Sequence, residues 1–340
     1  MRTIDAHAAG EPLRLVIEGL PSPDGKTMLE RRAWAAKRID HLRRALMLEP
    51  RGHADMYGAL ITEPERPGSD AGVLFMHNEG WSTMCGHGVI AVTTIAIERG
   101  LIWKASSAPL GAGETATATL ALDVPAGLVT ATATLVGRRE GLRVTDVSFV
   151  NVPSFVYAPG VPVTALGRTM TADVAFGGAF YAIVDAEAAG LPLEPSHLPE
   201  LRRMGMAVKA DVERQMKVQH PVEAGLHGLY GTIFTAPARH PDAHLRNVTI
   251  FADAEVDRSP CGSGTAAVMA VLDEMGLLGE DAPFVHESLV GTLFRGRLTG
   301  RTRVGDHPAI VPAIAGSAWI TGEHTFLIDG DDPLKAGFRF

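Results

Sequence analysis

A short glycine-rich thiol motif occurs twice in the chain. Met84-Cys85-Gly86-His87-Gly88 runs into an apolar stretch from Val89 that ends at Gly100. Pro260-Cys261-Gly262-Ser263-Gly264 runs into a matching stretch from Thr265 that ends at Gly276. The copies lie about half of the 340-residue chain apart, which predicts two similar halves. Each stretch reads as a helix with apolar residues on almost every side, and such a helix is buried all round. Gly100 and Gly276 read as C-terminal stops. Strand-rich sequence flanks both, so the simplest packing sheathes each helix in a curved sheet, once per half.

The remaining pattern agrees. Leu13 to Glu18 reads as a strand and Ser22-Pro23-Asp24-Gly25 as a turn. Residues 27–47 read as one helix, whose Arg31, Arg32, Lys37, Arg38, Arg43 and Arg44 form a solvated basic face. Thr115 to Val136 and Arg143 to Val156 alternate apolar residues with Thr, Ala or Gly. They predict antiparallel strands, the first pair turning at Pro125-Ala126-Gly127. Pro192 to Arg202 reads as a surface loop leading into a helix. The length suits two domains of about 150 residues. The expected boundaries are 1–150 and 151–324, with a final strand at about 325–340 returning to the first domain.

The net charge is −8, so the chain lacks the electrostatic footprint of a nucleic-acid or anionic-membrane binder. Its N-terminus has no signal-peptide core, and no apolar run approaches the ~18 residues that span a bilayer. A cytoplasmic, reduced chain is expected. Two cysteines cannot build a disulfide framework or a cysteine-only zinc site.

Where the two thiols sit carries the chemistry. Free amides and the positive end of the macrodipole meet at a helix start. A thiol there is expected to have a lowered pKa, and the same amides can bind a carboxylate. Two such starts supply two thiols and an anion cradle. One thiolate can then remove a proton from a carboxylate-bearing carbon while the other thiol returns one to the opposite face. No cofactor is required. Other readings are a buried Cys as a small hydrophobe, a redox pair lacking Cys-x-x-Cys spacing, and a metal pair from Cys85 and His87.

These residues resemble the proline racemase family, whose members adopt the diaminopimelate epimerase-like fold. The matching segments are Asp5 to Pro12, Glu49 to Gly58, Met84 to Gly88, Phe176 to Tyr181, Asp257 to Gly264 and Glu287 to Thr292. The resemblance implies an α+β architecture of two pseudo-symmetric domains, each a curved antiparallel sheet or barrel around a buried central helix. It implies Cys85 and Cys261 as the acid/base pair. Gly86, His87, Gly262 and Ser263 would contact the substrate carboxylate, and Asp257 would hold its amine.

The activity so implied is a cofactor-independent racemase or 2-epimerase acting on proline or a hydroxyproline, with no metal, and with a small substrate rather than nucleic acid or a membrane as its partner. A homodimer is compatible with the sequence. Two segments are more like the trans-3-hydroxy-L-proline dehydratases: His77 to Thr83, and Gly177-Gly178-Ala179. That branch usually carries Thr at the second thiol position, whereas Cys261 stands here. Dehydration is thus the alternative. An imino-acid binding protein without turnover is the third reading, prompted by departures such as Ala8.

Overall fold

The computed structural model describes residues 1–102, 110–279 and 282–339. They form two compact units, Met1–Phe149 with Ala315–Phe340, and Val150–Ile314.

In the first unit, strand Arg2–Ala8 lies antiparallel between Glu11–Glu18 and Ala318–Thr325. Glu11–Glu18 pairs in parallel with Tyr57–Thr62, which runs antiparallel to Ala71–His77. Ala71–His77 pairs antiparallel with the two-residue strand Trp81–Ser82 and in parallel with Thr115–Val124. Thr115–Val124 and Gly127–Arg138 close a regular hairpin at Gly127, whose φ of 140 suits glycine.

The second unit repeats that order of pairings. Arg168–Phe176 lies antiparallel between Phe155–Ala165 and Phe180–Asp185. A parallel step to Leu229–Pro237 follows, then an antiparallel one to Leu245–Phe251. Leu245–Phe251 takes the short antiparallel strand Glu255–Asp257 and the parallel strand Phe284–Glu287, which pairs antiparallel with Leu293–Val304. In both units the short strand immediately precedes the thiol motif.

A parallel step between strands needs a crossover. The first unit uses helices Met28–Arg38 and Asp40–Met47; the second uses Leu198–Gln215. The first crossover departs from the expected single helix over 27–47. It breaks at Ile39, whose amide still reaches Ala35 but whose ψ of 14 leaves the helical ladder. Asp40 restarts the helix and accepts both the Arg43 guanidinium at 2.6 Å and the Trp81 indole at 3.2 Å. Thr27 and Glu30 form a reciprocal capping box at the crossover's start. Its apolar face, with Met28, Ala35, Leu46 and Met47, packs against Val16, Leu60, Leu74 and Met76.

Each unit is built around its thiol helix. Gly86–Glu98 is buried at every position from Gly86 to Ile97, against strands that include Arg2–Ala8, Gly127–Arg138 and Ala318–Thr325. Gly262–Glu274 is buried from Gly262 to Val271, against Phe155–Ala165, Arg168–Phe176 and Leu293–Val304. Burying each Val, Leu or Ile of these helices contributes about 1.5–3 kcal/mol. Gly100 and Gly276 take left-handed φ values of 64 and 70 just past the helix ends. No helix among the described residues is long and apolar enough to cross a membrane.

Candidate active site

Cys85 is the N-cap of its helix, in extended backbone with φ −149. Its Sγ accepts the Gly88 amide at 3.2 Å. A sulfur thus occupies the place where Ser or Asp commonly caps a helix. A Cβ on Gly88 would lie 2.7 Å from that sulfur and 2.6 Å from Phe75, so a larger residue would force one of them to shift. The His87 ring lies against the thiol, with Nδ1 3.4 Å and Nε2 3.5 Å from Sγ. It also packs edge-on against the Tyr57 ring at 4.8 Å. Tyr57 in turn donates to Ser82 at 2.9 Å. The amides of Gly86 and His87 belong to the first helical turn, outside the intrahelical ladder.

Cys261 caps its helix in the same way, accepting the Gly264 amide at 3.3 Å. Its backbone differs: φ is 62, in the left-handed region that L residues rarely occupy. Tyr181 OH lies 3.8 Å and Ser263 Oγ 3.9 Å from Sγ, and those two hydroxyls are 2.7 Å apart. Asp257, on the short strand, accepts the Ser259 amide at 2.8 Å and the Ser259 hydroxyl at 2.7 Å. Ser259 Oγ accepts the Cys261 amide at 3.1 Å. The spacing Asp257-x-Ser259-x-Cys261 therefore links the carboxylate to the thiol's backbone.

The electrostatics correct one expectation. Both cysteines are reduced and buried, Cys85 at 4% and Cys261 at 6% relative exposure. Burial, with the Asp257 charge adding to it, pushes the Cys261 thiol well above the usual thiol range. The Gly264 amide and the Thr249 and Tyr181 hydroxyls oppose that push and are outweighed. The helix start does not by itself make Cys261 a thiolate. Burial likewise raises the Asp257 carboxyl to about 6, against the opposing Ser259 bonds. Tyr181 is pushed up by burial and, next, by Cys261.

The site residues expected from sequence fall into two groups. Cys85, Gly86 and His87 gather at the helix start of the first unit. Asp257, Cys261, Gly262 and Ser263 gather at that of the second. Tyr57 and Tyr181 had drawn no role from the sequence, although each stands in a matching segment. A tyrosine brought to a helix start from a distant strand, Tyr57 against the His87 ring or Tyr181 beside the Cys261 sulfur, leaves no local pattern. Among the described residues no cluster of His, Cys, Asp and Glu is arranged to hold a metal ion.

The chain is similar along its length to proteins of known family. The family model described as proline racemase matches residues 3–339. A trans-3-hydroxy-L-proline dehydratase of Bacillus thuringiensis subsp. konkukian is 48% identical over 336 residues, covering 99% of this chain and 97% of the relative. A 3-hydroxyproline 2-epimerase of Burkholderia multivorans is 44% identical over 339 residues, with 99% and 97% covered. Among solved structures, a probable proline racemase from Agrobacterium radiobacter K84 with bound carbonate superposes with a TM-score of 0.89 at 30% identity, covering 100% of this chain and 96% of that one. With two sulfur-capped helices in repeated sheets and a family match over almost every residue, the chain belongs to the proline racemase family.

Proposed function

We propose that the protein is a cofactor-independent racemase or 2-epimerase of a cyclic imino acid, with Cys85 and Cys261 as its two bases. The observation that carries this reading is the matched pair of helix starts, each capped by a cysteine sulfur. The substrate carboxylate takes the helix-start amides of Gly86, His87, Gly262 and Ser263. The protonated ring nitrogen is held by Asp257. The Cys85 thiolate removes the Cα proton and becomes a thiol. The Cys261 thiol gives its proton to the opposite face and becomes the thiolate. The reverse direction exchanges the roles. The high affinity of Cys261 for its proton suits the donor role in the free enzyme. The amides bear the charge that builds on the carboxylate as the Cα–H bond breaks.

The second reading is dehydration of trans-3-hydroxy-L-proline. It is favoured by the 48% identity to a dehydratase of that substrate, together with Gly177-Gly178-Ala179 and the His77 to Thr83 segment. The first step is unchanged. The electron pair left at Cα then expels the C3 hydroxyl, which takes up the proton that Cys85 removed and leaves as water, and the enamine tautomerises to a ketimine. The 3-hydroxyproline 2-epimerase relative supports inversion of a 3-hydroxylated ring by a chain of similar sequence.

The test is incubation with proline and the 3- and 4-hydroxyproline isomers in D2O, followed by NMR. Deuterium at Cα with inverted configuration supports the first reading. Ketimine from trans-3-hydroxy-L-proline without inverted product replaces it with the second. Tight binding with neither exchange nor elimination would leave a binding protein and overturn both.

A further inference from the structure

The left-handed backbone of Cys261 is held from behind by buried polar side chains; one of them, Asn247, also donates to the Glu287 carbonyl at 3.2 Å. The peptide bond joining Pro260 to Cys261 is fixed on both edges. Its carbonyl accepts Asn247 Nδ2 at 3.1 Å and the Thr265 hydroxyl at 3.1 Å. Its amide donates to Ser259 Oγ at 3.1 Å. Thr265 gives its only proton to that carbonyl, so it can only accept from His286, whose Nδ1 lies 2.9 Å away. This assigns the Nδ1–H tautomer to His286. Burial lowers the His286 ring to about 3, which keeps it neutral. Asn247, Thr265 and His286 are all fully buried. Asn247 Oδ1 and His286 Nε2 have no hydrogen-bond partner among the described residues. Thr265 thus relays a buried, neutral donor chain that ends on the Pro260 carbonyl.

We infer that Thr265, His286 and Asn247 are positioning residues that lock the Pro260–Cys261 peptide and so keep the Cys261 sulfur at the Gly264 amide. Without the lock, rotation of that peptide relieves the positive φ and carries the sulfur off the helix start. The inference rests on the reading of Cys261 as a working thiol. It concerns that thiol's placement, whichever product the enzyme releases.

The test compares Thr265→Val, which removes the hydroxyl at nearly constant volume, with Thr265→Ser, which keeps it. Each full-length variant is labelled with iodoacetamide, and mass spectrometry reads the rate at Cys261 relative to Cys85 of the same chain. Losing the Gly264 amide contact removes a donor to the thiolate. The relative rate at Cys261 is therefore expected to fall about fivefold or more in Thr265→Val and to stay within about twofold in Thr265→Ser. On the substrate the screen identifies, kcat falls about tenfold with KM within about twofold in Thr265→Val, and Thr265→Ser restores it. His286→Phe serves if Thr265→Val does not fold. It breaks only the outer link and is expected to lower the Cys261 rate in the same direction by less. An unchanged or raised relative rate at Cys261 in a folded Thr265→Val or His286→Phe variant would overturn the inference. That readout needs no turnover, so it fails separately from the proposed activity.

Discussion

The Cys261 sulfur accepts the Gly264 amide at 3.3 Å, and the Cys85 sulfur accepts the Gly88 amide at 3.2 Å. In each motif the second glycine is what lets the sulfur close on the helix. A Cβ on Gly264 would lie 2.9 Å from both the Cys261 sulfur and Ile233 Cδ1. Gly264→Ala is expected to displace the sulfur and cut kcat about a hundredfold or more, the range for losing a positioned acid or base. Steady-state kinetics beside a circular dichroism spectrum checks it. A folded variant with wild-type kcat would contradict the capping role.

Gly177 supports the second thiol helix from outside. A Cβ there would come 2.1 Å from the Ser263 carbonyl and 2.7 Å from the Ala267 amide, both backbone atoms that cannot swing aside. Gly177→Ala is expected to cost about 1–3 kcal/mol as overpacking. A thermal or urea melt reads the loss.

Asp257 gives the pH dependence. Its carboxyl is raised from 3.8 to about 6 by burial. In the proposed reaction protonation removes the charge that holds the substrate nitrogen, so kcat/KM should fall as pH drops through about 6. The stability linkage runs the other way. A carboxyl raised on folding stabilises below its unfolded pKa of 3.8, and that contribution is lost as pH rises through about 6. Asp257→Asn keeps an oxygen for Ser259 but carries no charge. It should be inactive, and it should be at least as stable as the wild type at pH 7.5. Melts and rates at pH 5 and 7.5 separate the two effects, and an active Asp257→Asn variant would remove Asp257 from the site.

Thiol reactivity follows from burial. Cys261 should react with iodoacetamide at pH 7.5 far more slowly than in the urea-unfolded chain, because its thiol is both covered and held protonated. Labelling as fast as in urea would show that the thiol is open in the free enzyme.

Much of the fold was legible because it depends on local periodicity. The two helices are apolar on every side from their first turn, and the Thr-Ala alternation from Thr115 to Val136 becomes a regular hairpin. The break at Ile39 was hidden because Ile39 is itself apolar, and the restart depends on Asp40 meeting Trp81 from a distant strand. The parallel steps, such as Phe180–Asp185 beside Leu229–Pro237, join residues too far apart for local pattern to register. At the site, the cysteines and their glycines were readable from the repeat. The left-handed φ of Cys261 and the upward push on its thiol were not. The first is a backbone conformation that no side-chain pattern marks, and the second arises from burial, with Asp257 adding to it.

The central claim is that each thiol serves one face of the substrate carbon. Its most direct measurement is Cα deuterium exchange and configuration, followed together by NMR in D2O for Cys85→Ser and Cys261→Ser on both substrate stereoisomers. The account predicts that inversion falls about a thousandfold or more in each variant, in line with the loss of a catalytic base or acid. Residual exchange should survive on opposite stereoisomers in the two variants. Inversion at wild-type rates in both variants would contradict it.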